Sequence, residues 1–126
     1  HRAVVEAFLA ASRGGDFAAL VALLDPGIVF RADPAAVAMA AANPNPGAPI
    51  LAPEIHGPEA VARSFAGRAT AARPAFIDGT IGLVWAPGGT VRAAFRFATE
   101  GERVTAIDLV VDPAGLAEAD IELAGD

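Results

Sequence analysis

Two short amphipathic helices joined by a Gly-Gly-Asp link, with a strand following at once, leave few folds open to this chain. Val4, Val5, Phe8 and Leu9 recur at helical spacing, so residues 2–13 are expected to form a helix with one apolar face. Gly14 and Gly15 end it, because glycine adopts the left-handed cap conformation at little cost. Asp16 is placed to cap a second helix whose apolar face is Leu20, Val21, Leu23 and Leu24. Pro26 and Gly27 stop that helix, and Ile28–Ala32 reads as a short strand.

The rest of the chain changes period. Residues 34–53 are expected as an irregular loop or insertion: Ala35–Ala42 allows one or two turns of helix, and Asn43–Gly47 is irregular, since Pro44 and Pro46 remove backbone donors and restrict their neighbours. Pro58 and Glu59 suit the first turn of a third helix carrying Val61 and Phe65 and running to about Thr70. Strands are expected at Pro74–Thr80 and Ile81–Ala86, with Pro87-Gly88-Gly89 as a turn. Val91–Thr99 then alternates, with Val91, Ala93, Phe95 and Phe97 on one face and Arg92 and Arg96 on the other. Glu100-Gly101 is expected to be the turn of a hairpin whose second strand is Val104–Val111, and Asp112-Pro113 opens a short helix through Leu116. This order predicts a single α+β domain over residues 1–126: a curved, mostly antiparallel sheet with its helices on one face and a pocket between the two layers.

Composition excludes several functions. The hydrophobic fraction is 54%, but 32 of those residues are Ala, so the core must come from the larger side chains and the seven Phe. No apolar run approaches the roughly 20 residues that span a bilayer, and the first turn lacks the charged-then-apolar ramp of a signal peptide, so a cytoplasmic location is expected. Without cysteine there is neither a disulfide frame nor a thiolate metal site, and His1 and His56 alone leave a zinc site short of ligands. No metal or other cofactor is expected. A net charge of −6, with nine Arg and no Lys, argues against direct nucleic-acid binding. The chain begins at His1 already inside a helical pattern, as expected of a trimmed protein or of a segment of a longer one.

Several segments resemble the opening of SnoaL-like domains, a branch of the nuclear transport factor 2-like superfamily: Val4–Ala11, Gly15–Leu20, Leu23–Pro26 and Gly57–Ala62. Ile107–Leu116 is most similar to the end of the SnoaL-like domain carried C-terminally by some extracytoplasmic-function RNA polymerase sigma factors. Those domains have Asn-Pro-Asp-Lys-Leu where this chain has Asp112-Pro113-Ala114-Gly115-Leu116. They also have Asp-Gly-Gly-Gly-Lys after the first strand; here Phe30-Arg31-Ala32-Asp33 keeps the lead-in and the Asp, and Pro34-Ala35-Ala36-Val37 replaces the remainder. The resemblance implies a cone-shaped fold and a non-catalytic regulatory role. Its implied partners are the sigma regions of the same chain and, through them, RNA polymerase. Asp33, Asp112, Pro113 and Leu116 are the regulatory motif positions it singles out.

The wider superfamily also includes ketosteroid isomerases, polyketide cyclases and limonene epoxide hydrolases, which implies an alternative: a stand-alone enzyme acting on a small apolar substrate. Such chemistry needs an acid or base whose pKa is shifted by burial. If Glu100-Gly101 is a two-residue turn, Thr99 lies opposite Glu102 and Ala93 opposite Asp108, which puts Asp108 on the apolar face as the candidate acid/base. A bulge or a one-residue change of register would turn it outward. Phe8, Trp85, Phe95, Phe97, Asp108 and His56 are the candidate pocket lining for a small apolar ligand, while Asp78 reads as structural and Asp33 as a surface ion pair with Arg31. The chain has no Tyr, so the isomerase oxyanion hole does not transfer. A third reading is a ligand-binding homodimer paired through the sheet, by analogy of fold alone.

Overall fold

The computed structural model describes residues 2–42, 53–68 and 70–124, with the side chains of 39–42 excepted. Helix α1 spans Arg2–Gly14 and buries Val4, Val5, Phe8 and Leu9 as their spacing requires. Gly15 takes φ +67, and the Asp16 carboxylate accepts a hydrogen bond from the Ala19 N–H to start α2, Phe17–Leu23. Strand β1, Leu24–Ala32, follows without a gap, its pairing register shifting between Leu24 and Val29 around Pro26-Gly27.

In the first half of the irregular stretch expected over 34–53, the turn or two of helix allowed at Ala35–Ala42 is a nine-residue helix, α3 (Pro34–Ala42). Every residue in it is apolar, so no period marks a face. Its helicity follows from six alanines, which lose no side-chain entropy on becoming helical. Residues 43–52 of that expectation lie outside the described residues. Then come β2 (Glu54–His56), α4 (Pro58–Phe65), β3 (Arg73–Ile77) and β4 (Thr80–Trp85), β3 and β4 being joined by the tight turn Asp78-Gly79. Both turn residues have positive φ, +52 and +81, the requirement of the hairpin turn that matches strand twist. Strands β5 (Ala93–Glu100) and β6 (Arg103–Val110), helix α5 (Pro113–Glu118) and strand β7 (Ile121–Leu123) complete the order.

The sheet runs β2-β1-β6-β5-β4-β3-β7, antiparallel throughout except for the parallel pair β1–β6, its second and third strands. Helices α1, α2 and α4 pack on one face, and their apolar residues merge with Phe30, Leu83, Phe95, Phe97, Ile107 and Leu109 into the main core. α5 departs from the expectation of helices on a single face. Leu116 and Ala119 pack with Ala75, Ile77, Val84, Ala86 and Ala94 as a second cluster. Ala94 lies opposite Val84 and Val110, on the side of the sheet away from Phe95.

Candidate functional site

The hairpin β5–β6 decides where the candidate acid points. Its turn is Gly101-Glu102, with Glu100 opposite Arg103, one residue later than expected. That change alone slides the partner strand by two and keeps Asp108 on the same face. A bulge between Ala98 and Thr99 adds one more residue, and an odd shift exchanges the faces of a strand. Asp108 therefore lies opposite Arg96, not Ala93, with its side chain 45% exposed on the outer face. The expected inward position of Asp108 is corrected.

The space expected to be a hollow is packed with rings. Phe65 lies 5.0 Å from Phe8, 4.9 Å from Phe30 and 5.9 Å from Phe95 between centroids, and Phe8 lies 5.1 Å from Phe97. All five are buried, and three of these pairs meet edge-on, the arrangement the ring quadrupole favours. Phe8 and Phe95 are thus core residues instead of pocket lining. Phe97 also borders a shallow cleft of about 170 Å³ with Ile77, Asp78, Thr80, Ile81 and Arg96, below the point where β4–β5 pairing stops at Leu83–Phe95. Trp85 ends β4 opposite Ala93 at 40% exposure, outside the packed interior. His56 is on β2 with its side chain 65% exposed, and its Nε2 lies 2.8 Å from Glu54 Oε1. It too is no part of the interior.

Among the described residues, the buried polar side chains are those of Ser12 and Ser64. Ser64 Oγ donates to the Ala60 carbonyl, while Ser12 Oγ has no partner. No three His, Cys, Asp or Glu side chains among the described residues converge as metal ligands. No helix among them is long and apolar enough to cross a membrane.

The carboxylates instead build two clamps. Asp33 ends β1; its Oδ1 accepts from the Ala36 N–H at 2.7 Å, capping α3, and its Oδ2 accepts from the Val111 and Asp112 N–H groups at 2.9 and 3.0 Å. Arg31 is not its partner, and the expected Arg31–Asp33 surface pair is corrected. Asp112 in turn caps α5, accepting from the Ala114 N–H, with Pro113 in the first turn and Leu116 packed on the second cluster. The motif positions Asp33 and Asp112–Leu116, 79 residues apart at their first members, are thus one assembly.

Asp78 makes the second clamp. Its Oδ1 accepts from the Asp120 N–H at 2.8 Å and its Oδ2 from Arg96 at 2.7 Å, tying β7 to the β3–β4 turn. The Asp120 N–H first, and Arg96 second, hold the Asp78 carboxyl below its ordinary value of 3.8.

Sequence reasoning missed a row of charges across the outer face. Glu54, Arg31, Asp108 and Arg96 are successive cross-strand partners on β2, β1, β6 and β5. Arg31 lies 3.8 Å from both Glu54 and Asp108. The row was hidden because it needs the parallel β1–β6 pairing and the bulge, neither of which leaves a local signal.

Comparison with solved structures places this architecture. A protein described as NTF2-like, from Cytophaga hutchinsonii, superposes with a TM-score of 0.54 at 16% identity, covering 93% of this chain and 94% of its own. The fold is NTF2-like. The extracytoplasmic function sigma factor SigJ of Mycobacterium tuberculosis superposes with a TM-score of 0.63 at 23% identity over 90% of this chain. This chain spans 42% of the length of that sigma factor chain. A protein from Kribbella flavida gives a TM-score of 0.53 at 18% identity, over 92% of this chain and 89% of that one. No protein-family model matches the sequence, and no curated protein matches it. The chain thus shares this fold with proteins whose sequences differ widely from its own.

Proposed function

We propose that this NTF2-like chain is a non-catalytic SnoaL-like regulatory domain of an extracytoplasmic-function sigma factor. It acts by contact with the sigma regions of its own chain and so modulates initiation by RNA polymerase. The observation that carries this reading is that Asp108, the candidate acid, faces outward, while the five Phe rings pack on one another beneath the helices. A hydrolase, isomerase or cyclase needs a buried acid or base, and the buried polar side chains among the described residues are two serines. The superposition on the sigma factor SigJ supports the reading at the level of fold. The union of Asp33 with Asp112–Leu116 supports it further, since these are the positions where the sequence resembles the appended domains.

The test is transcription from a cognate promoter by the whole parent protein, with and without this domain. A severalfold change in transcript level is expected. Unchanged output overturns the regulatory reading. Turnover of an apolar substrate by the chain, lost on Asp108→Asn while the fold is kept, supports the enzyme in its place.

A further inference from the structure

The outer face of the sheet is covered unevenly. α5 and its apolar contacts close it over β3, β4 and the ends of β5 and β6 at Ala94 and Val110, while farther along β2, β1, β6 and β5 the row Glu54, Arg31, Asp108, Arg96 stays at the surface. The two ends of the row differ from its middle. Arg96 is committed to Asp78 by a 2.7 Å hydrogen bond. Arg31, between two carboxylates at 3.8 Å, makes no hydrogen bond through its guanidinium among the described residues, and neither does the carboxylate of Asp108. An Arg fork has five donors. Holding it between two acids without spending those donors leaves a charged centre, about half exposed, ready for an external partner. Beside it on the same face lie Val29 and Ala106, both partly exposed, with His56 next to Glu54 at one end and Val110 against Gly115 of α5 at the other.

Adjacent strands are about 4.8 Å apart, and side chains one turn apart on a helix are about 5–6 Å apart. A helix laid across the strands therefore meets one strand per turn. We infer that the face of β2, β1, β6 and β5 docks a protein helix whose charges alternate at one-turn spacing, each opposing its counterpart in the row Glu54, Arg31, Asp108, Arg96. The order of charges selects the partner, since like charges face each other in any other order. This surface rests on the regulatory reading only for the origin of the helix, which that reading places in the sigma regions.

The test uses the chain with two synthetic helical peptides of equal composition. One carries Lys, Glu, Lys, Glu at successive turns; the other carries Lys, Lys, Glu, Glu. Titration followed by fluorescence anisotropy at low salt is expected to show the alternating peptide binding about tenfold more tightly, with the preference fading as salt screens it. The double swap Arg31→Asp with Asp108→Arg keeps an opposite-charge cross-strand pair but changes the row to two negatives followed by two positives. It is expected to reverse the preference toward the block peptide. Circular dichroism checks the fold. If the swap does not fold, Arg31→Gln with Asp108→Asn is expected to bind the two peptides equally. Equal binding of both peptides by the unaltered chain, or binding of neither, overturns the docking surface. Discrimination between the peptides, together with no effect of the domain on transcription, sinks the regulatory reading and leaves the surface standing.

Discussion

Asp33 and Asp112 meet at the end of the sheet: one carboxylate oxygen of Asp33 accepts the Asp112 N–H at 3.0 Å and the Val111 N–H at 2.9 Å, while the other caps α3 at Ala36. One side chain thus secures the start of the third helix and the exit of the sixth strand. Backbone N–H groups at such a junction have no ladder partner, so the carboxylate takes the place of a missing strand.

Asp33→Ala removes a helix cap and two charge-assisted hydrogen bonds, and is expected to destabilise the chain by about 3 kcal/mol. Asp33→Asn, which keeps one acceptor oxygen, is expected to cost less. Urea unfolding measures both. A loss for the alanine variant no larger than that of an ordinary exposed cap, about 1 kcal/mol, would show that the junction is held by other contacts.

Phe65 is the hub of the aromatic cluster, touching Phe8, Phe30 and Phe95. Phe65→Ala is expected to cost about 4 kcal/mol, the transfer loss plus the cavity left behind. The variant is also expected to gain affinity for a small apolar probe such as benzene, which the unaltered interior excludes. Calorimetric titration of benzene into both proteins checks this, and equal binding by the two would mean that the rings enclose a usable void already.

The Asp78 carboxyl is held below its ordinary value in the folded chain by the Asp120 N–H and Arg96, so its contribution to stability has a definite sign. The clamp stabilises fully above the unfolded value of 3.8 and is lost as pH falls below it through the lower folded value. Asp78→Asn is therefore expected to flatten the dependence of unfolding free energy on pH below about pH 4, where the parent chain loses stability. Parallel urea titrations at pH 7 and pH 3 decide it: the difference between the two proteins must shrink at pH 3.

Ser12 Oγ is buried in α1 without a partner. Ser12→Ala deletes a hydroxyl that was stripped of water without compensation and places the best helix former in mid-helix, so stability is expected to rise by about 1 kcal/mol. Thermal unfolding monitored by circular dichroism reads the change, and a lower melting temperature would point to a hydrogen bond made through an internal water.

The opening of the chain was legible because its signals are local. Gly14-Gly15 and the Asp16 cap sit beside the helices they bound, and the apolar spacing of α1 is plain. α3 was not legible, because Pro34–Ala42 is apolar at every position and a pattern with no contrast has no period. Strands β2 and β7 are three residues each, too short to alternate, and exist only because β1 and β3 offer them an edge. Asp108 stands out as a charged residue in an apolar strand, but one extra residue on β6, Thr105 opposite Ala98–Thr99, sets which way it faces. Asp33 was noted for its motif, yet the backbone groups it holds are 78 and 79 residues away.

The parallel pairing of β1 with β6 is a seam between early and late segments of the chain. A ribosome releases Val29 long before its neighbour Ala106 exists, so β1 must wait with one edge bare while some 75 residues are added. Antiparallel β5–β6 can form as a local hairpin, but closing the seam demands a long-range loop, which slows folding and exposes the waiting strand to other chains. Assembly of this domain is therefore committed late, and truncation anywhere before Val104 would release a polypeptide without the strand its first one needs.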